Sequence, residues 1–143
     1  MQNKKILVSG GAGFVGSNLC HKLLQDGVGV IAVVDNLLSA EAENLPLDER
    51  LTFFLGSIAD DRILSKIGHD YDYVFHLATY HGNQSSIHDP IADHANNTIT
   101  TLKLCEHFKA ATQLKKLVYS SAGCTVAKKT YDDVNATDED AEV

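Results

Sequence analysis

Glycines at positions 10, 11, 13 and 16, with an aspartate at 35, are the residues whose types and spacing most directly imply chemistry. The run Gly10-Gly11-Ala12-Gly13-Phe14-Val15-Gly16 satisfies two templates at once, Gly11-x-Gly13-x-x-Gly16 and Gly10-x-x-Gly13-x-x-Gly16. A chain that leaves a strand and enters a helix within a few residues needs positive φ, which glycine adopts at little steric cost. A bare main chain at Gly13 lets a diphosphate lie against the backbone, and Gly16 lets the helix approach the strand closely. The helix start then offers unpaired N–H groups and the positive end of its dipole to an anion. Asp35 stands nineteen residues beyond Gly16, at the end of a second apolar run. A carboxylate there can accept hydrogen bonds from both ribose hydroxyls, worth roughly 1.5–3 kcal/mol each. It would also repel a 2′-phosphate, and Asn36-Leu37-Leu38-Ser39 offers no arginine to receive one. The pattern reads as a dinucleotide site of the NAD rather than the NADP type; the alternative for Asp35 is a solvated turn aspartate.

The elements that must position these residues alternate between strand and helix. Ile6, Leu7 and Val8 place a first strand at about 5–9, and a helix follows from about 14 to 26. Leu19, Leu23 and Leu24 give that helix an apolar face, and Gly27 suits a left-handed cap. A second strand is expected at about 29–35, a third at 51–55 (LTFFL) and a short helix at 60–67. The fourth strand falls at about 72–77, followed by a loop over 78–89. Pro90 can open a long helix reaching about 111, because proline lacks an N–H that the first helical position does not need. The fifth strand is expected at about 116–121, and the acidic stretch 122–143 reads as loop. This is an α/β doubly wound parallel sheet of the Rossmann type, order 3-2-1-4-5, forming one domain over 1–143. Its switch point lies between strands one and four.

Length and composition narrow the function classes. A chain of 143 residues with 44% hydrophobic content fits one globular domain. The net charge of -7 and pI near 5.3 argue against a grip on nucleic acid or an anionic membrane, which needs a basic surface. No apolar run reaches the roughly 18 residues of a membrane span, and MQNKK leads straight into the first strand without secretory character. Cys20, Cys105 and Cys124 are odd in number and widely spaced, so no metal site is expected; Cys20 and Cys105 read as small buried hydrophobes. A reducing cytoplasm is the expected compartment.

With these residues in view, the chain resembles the N-terminal part of an extended short-chain dehydrogenase/reductase. The nearest group is the NAD-dependent nucleotide-sugar epimerases and dehydratases related to UDP-glucose 4-epimerase. The resemblance rests on SGGAGFVGSNL (9–19), VVDNL (33–37), VFHLAT (74–79), SIHDP (86–90), NNTITTLKLCE (96–106) and KLVYSSAG (116–123). It implies that Gly10, Gly13, Phe14, Val15 and Gly16 hold a pyrophosphate, that Asp35 and Asn36 hold the adenosine ribose, and that Ser39 adds a polar contact. Gly56-Ser57-Ile58 stands where relatives have Gly-Asp-Ile/Val, so Ser57 replaces an adenine-contacting aspartate with a hydroxyl while Ile58 keeps its backbone N–H. His76-Leu77-Ala78-Thr79 resembles the family loop beneath the cofactor, with Leu77, Ala78 and Thr79 expected at the site. His76 itself reads as a strand-end core histidine. His81 matches a position that can lie near the cofactor phosphates, or is a solvated loop histidine. Asn97 matches a helix asparagine that steadies the end of strand four and the cofactor; a helix-surface asparagine is the alternative.

The same resemblance implies hydride transfer through a keto-sugar intermediate, assisted by a tyrosine and lysine four apart and a hydroxyl after strand five. No tyrosine in these 143 residues has a lysine four positions on. Counting back from Thr125-Val126-Ala127 puts Ala122 at the hydroxyl position; a one-residue shift puts Ser121 there, and Thr125 is a third candidate. Ser121 is taken forward, against the plainer reading of a strand-end serine bonded to backbone. The expectation is the NAD-binding portion of a nucleotide-sugar epimerase or dehydratase, without the C-terminal substrate part and inactive by itself. The competing readings are a stand-alone NAD-binding or regulatory domain, and a reductase of the same fold. A nucleotide-sugar is the implied partner of the whole protein, and a homodimer through long helices is compatible with the family.

Overall fold

The computed structural model describes residues 1–80 and 83–121. Five strands, β1 (Lys5–Ser9), β2 (Val30–Asp35), β3 (Leu51–Leu55), β4 (Tyr73–His76) and β5 (Lys116–Tyr119), form one sheet in the order β3-β2-β1-β4-β5. All four pairings are parallel, so both faces must be covered, and the sequence supplies apolar residues for each. Side chains alternate along a strand, and β1 accordingly sends Ile6 and Val8 to one face and Leu7 to the other. Ile6 and Val8 join Ile31, Val33, Cys20, Leu23 and Leu24 beneath α1 (Phe14–Gln25). Leu7 joins Val34, Val74, Ile63, Leu64, Leu104 and Phe108 on the opposite face.

That opposite face is covered by α2 (Asp61–Ile67) and by a helical path made of α4 (Pro90–Asp93), a π-helical turn (His94–Thr98) and α5 (Ile99–Phe108). Between β4 and this path lies α3 (Asn83–His88), in a stretch whose sequence suggests only loop. Asp89 then caps α4 by accepting from the Ala92 N–H at 2.9 Å, with Pro90 inside the cap as its chemistry requires. The single helix expected from 90 to 111 is instead interrupted by the π turn and ends at Phe108. Local hydroxyl contacts accompany the interruption. The Thr100 hydroxyl lies within donating distance of the carbonyls of both Asn96 and Asn97, at 2.8 and 2.9 Å, and the Thr101 hydroxyl lies 2.8 Å from that of Asn97. Hydroxyls that compete for main-chain carbonyls weaken the regular ladder, in keeping with a register change at this point.

Two further expectations are corrected. Cys105 is exposed, because the buried stripe of α5 is Thr100, Leu104 and Phe108, and the next residue along falls about 100° away. Strand β5 stops at Tyr119 rather than 121, with Ser120 and Ser121 exposed beyond it. Cys20 is buried as expected, which pushes its thiol up to about 12 and leaves it unreactive. Gly27 closes α1 with a φ of 78°. At the amino-terminal edge of the sheet, Asp72 accepts from the Lys5 amide and pairs with Lys115 and Lys4, which holds its carboxyl far below the usual range and ties β1, β4 and β5 together. Among the described residues, no helix is long and apolar enough to cross a membrane. The loop expected over 122–143 lies outside the described residues.

Candidate nucleotide-binding cleft

Strands β1 and β4 are neighbours whose following segments leave toward opposite faces, α1 on one side and the α4–α5 path on the other. A crevice must open between them at the carboxyl ends. It is lined from β1 and α1 by Gly10, Gly13, Phe14, Val15 and Gly16, and from β2 by Val34, Asp35, Asn36, Leu38 and Ser39. Gly56, Ser57 and Ile58 follow from β3, and Leu77, Ala78, Thr79 and Tyr80 from β4. Asn96 and Thr100 close the wall from the helical side.

Each glycine has a separate reason. Gly10 turns the chain at a φ of 75°, and a Cβ there would lie 2.5 Å from the Ala78 nitrogen. Gly16 sits on the first turn of α1, where a Cβ would meet the Gly10 carbonyl oxygen at 2.2 Å and the Gly11 Cα at 2.6 Å. The helix therefore closes onto the turn itself. Gly13 differs from both. Its φ of −68° and ψ of 171° suit any residue, and the nearest atom to an added Cβ is the Gly10 carbonyl oxygen at 3.4 Å. Nothing among the described residues demands glycine at 13.

Gly13 is also the N-cap of α1, and no side chain caps that helix or places an acid in its first turn. By contrast, Asp60 caps α2 and Asp89 caps α4. The first amides of a helix have no partner within it, so those of α1 face the cleft with their dipole uncompensated. Asp35 is held on both carboxylate oxygens. One accepts from the Ala12 N–H at 3.0 Å and the other from the Leu37 N–H at 2.9 Å, with Leu37 in the left-handed region at φ 57°. The Asn44 side chain fixes the same loop from the far side by donating to the Ala12 carbonyl at 2.9 Å. A carboxylate oxygen accepts more than one bond, so Asp35 can anchor the loop and still receive hydroxyls. Ser57 accepts from the Ala59 N–H at 3.1 Å, which makes it a turn-former as well as a lining residue. The Ile58 side chain is buried in the core, in keeping with a backbone role at the cleft.

Asn97 does not line the cleft; its neighbour Asn96 does. As expected, Asn97 steadies the segment after β4, accepting from the Tyr80 N–H at 2.7 Å while donating to the Tyr80 carbonyl at 3.2 Å and to Asp93 at 2.8 Å. Ser121 lies outside the cleft lining, exposed beyond β5. His81, Ala122 and Thr125 lie outside the described residues. Sequence reasoning missed Val34, Leu38, Gly56, Tyr80, Asn96 and Thr100. The first four are chain neighbours of residues it found, whereas Asn96 and Thr100 depend on the phase set by the π turn.

His76 is 2% exposed at the end of β4, with Nδ1 2.6 Å from the Ser9 hydroxyl and Nε2 2.9 Å from that of Thr101. Burial disfavours its charged form and moves its pKa below the ordinary value. Above about pH 6.5 both folded and unfolded chains carry it neutral. As pH falls below that value, the unfolded chain takes up a proton that the folded chain refuses, so stability declines. Calorimetric melting between pH 7.5 and 5.5 is expected to show a larger decline in the wild type than in His76→Asn. Equal declines would contradict this assignment.

The profile of the NAD dependent epimerase/dehydratase family matches residues 6–142. A UDP-glucose 4-epimerase of Klebsiella pneumoniae is 36% identical over 125 residues, covering 82% of this chain and 88% of that relative. The Bordetella bronchiseptica enzyme WbmF in complex with NAD+ superposes with a TM-score of 0.83 and 61% identity, over 85% of this chain and 37% of that one. The same enzyme with NAD+ and UDP gives a TM-score of 0.81 and 54% identity, over 98% of this chain and 41% of that one. The chain thus spans less than half of the WbmF structures it matches.

Proposed function

Because the chain belongs to the NAD-dependent epimerase/dehydratase family, we propose that it is the NAD-binding portion of a nucleotide-sugar epimerase or dehydratase. The observation that carries this reading is Gly13. It is a bare main-chain position that the described residues do not require, at the uncapped start of α1, in the same cleft as a fixed carboxylate. The residues present fit the dinucleotide. The amides of Phe14, Val15 and Gly16 would hold the diphosphate, and Asp35 the adenosine ribose. Asn36, Ser39, Ser57 and the Ile58 backbone would surround the adenine end. Leu77, Ala78 and Thr79, steadied by Asn97 through Tyr80, would form the floor under the other half.

The bound nicotinamide would supply reversible hydride acceptance, so that the sugar passes through a keto form. The chain's own residues bind, orient and exclude water; the 143-residue sequence has no tyrosine with a lysine four positions on to move the substrate proton. The expected behaviour is cofactor binding without turnover, with a nucleotide-sugar as the partner of the whole protein. Calorimetric titration tests this directly. NAD is expected to bind one-to-one and more tightly than NADP, and the purified chain to leave UDP-glucose unconverted. Measurable turnover would contradict the inactive-portion reading. Replacing Asp35 with alanine should weaken NAD at least about tenfold and remove the preference over NADP. Unchanged NAD affinity in that variant would refute the assigned ribose contact.

A further inference from the structure

We propose that Ser9, His76 and Thr101 form a positioning chain that locks the two walls of the cleft to each other, with His76 held as the neutral Nε2–H tautomer. The link to cofactor affinity rests on the NAD reading above; the link between the walls does not. The tautomer follows from counting hydrogens. The Thr101 hydroxyl has one hydrogen, which we place on the Asn97 carbonyl, 2.8 Å away, rather than on His76 Nε2. Toward His76 Nε2, 2.9 Å away, Thr101 can therefore only accept, so Nε2 carries the proton. Nδ1 is then the bare nitrogen, and the Ser9 hydroxyl donates to it at 2.6 Å.

The three residues occupy joints of the fold. Ser9 and His76 are paired in register at the ends of β1 and β4, and each directly precedes a cleft-lining residue, Gly10 and Leu77. The His76 carbonyl also accepts from the Ser120 N–H beyond β5 at 3.3 Å. Thr101 sits on α5 and holds the Asn97 carbonyl, while the Asn97 side chain brackets the Tyr80 backbone. One bonded path thus runs from the glycine turn through the buried imidazole to the helix and back to the loop after β4. Ser9 is 0% exposed and His76 2%, so neither can meet a substrate. A buried imidazole in a parallel sheet costs stability unless both nitrogens are satisfied, and here both are.

The test uses the intact chain and four proteins: wild type, Ser9→Ala, Thr101→Val and Thr101→Ser. Nitrogen-resolved imidazole spectra of the free wild type at neutral pH are expected to show His76 protonated at Nε2 alone; protonation at Nδ1 would overturn the proposal. Amide exchange at Tyr80, without ligand, is expected to quicken about tenfold in both Ser9→Ala and Thr101→Val and to be restored by Thr101→Ser. Unchanged Tyr80 exchange in Ser9→Ala, the cut farthest from that amide, would also overturn it. NAD affinity should fall about 5- to 10-fold in Ser9→Ala and Thr101→Val and stay within about twofold in Thr101→Ser. Affinity held in both of the first two variants would refute the link to the cofactor. If Thr101→Val does not fold, Ser9→Ala and Thr101→Ser still decide the question. A wild type that binds no NAD would refute the functional reading, while the tautomer and Tyr80 exchange would still judge the chain of bonds.

Discussion

Replacing Gly13 with alanine is expected to weaken NAD binding roughly 30-fold or more, equivalent to about 2 kcal/mol, while leaving the protein folded. The prediction rests on an asymmetry among the glycines. At Gly13 the fold has room for a Cβ, whose closest neighbour would be the Gly10 carbonyl oxygen at 3.4 Å, and the backbone there is extended. The cost to the free protein is confined to a poorer helix cap, below about 1 kcal/mol, so melting should fall by no more than about 4 °C. A diphosphate resting on the first amides of α1 would meet the new methyl group directly. Paired calorimetric titration and thermal melting separate the two effects. Unchanged affinity, or a loss of stability as large as the loss of binding, would contradict the assignment.

Gly16→Ala is expected to show the reverse balance, with unfolding free energy falling by about 2–4 kcal/mol even before ligand is considered. Alanine is the better helix former by about 1 kcal/mol, so propensity alone predicts stabilisation. Sterics win because the atoms in the way are main chain, with the Gly10 oxygen at 2.2 Å and the Gly11 Cα at 2.6 Å. Neither can move without pulling Gly10 away from Ala78 or Gly11 away from Val33, each of which already leaves no room for a Cβ. Urea denaturation gives the comparison. A midpoint at or above that of the wild type would mean that α1 does not seat on the turn as described.

These two glycines also show where a sequence can be read and where it cannot. Strand order and a cleft with Gly10, Gly13 and Asp35 in its lining were legible because short local patterns determine them. Ile6, Leu7 and Val8 are all 0% exposed, as a central parallel strand must be. The separate roles of Gly13 and Gly16 were legible in their spacing, but not that α1 seats on the turn itself, with the Gly10 oxygen and Gly11 Cα against Gly16. The helical wall was legible in part: Asn97 steadies the segment after β4 as expected but does not itself line the cleft. Whether Asn96 or Asn97 faces the cleft depends on the π turn over His94–Thr98, and an ideal helical period carries no trace of it. Cys105 fell on the wrong face for want of the same phase information. Ser121 lies past the end of an edge strand, where one partner strand supports the ladder and periodicity does not show its end.

The buried imidazole carries a wider point about this cleft. Its lining comes from four strand ends and two helical segments, and three side chains that do not line it tie parts of it together. Asn44 holds the glycine loop, Asn97 holds Tyr80, and His76 bridges Ser9 to Thr101. A preorganised cleft of this kind loses little ordering entropy on binding.

The most direct test is an amide-resolved magnetic resonance titration of the chain with NAD. The account predicts the largest shifts at Gly13, Phe14, Val15 and Gly16, with a second group at Asn36 and Leu37 beside the Asp35 carboxylate. Shifts confined to the shallow groove at the other end of the sheet, around His69, Asp70 and residues 110–113, or no shifts at all, would contradict it.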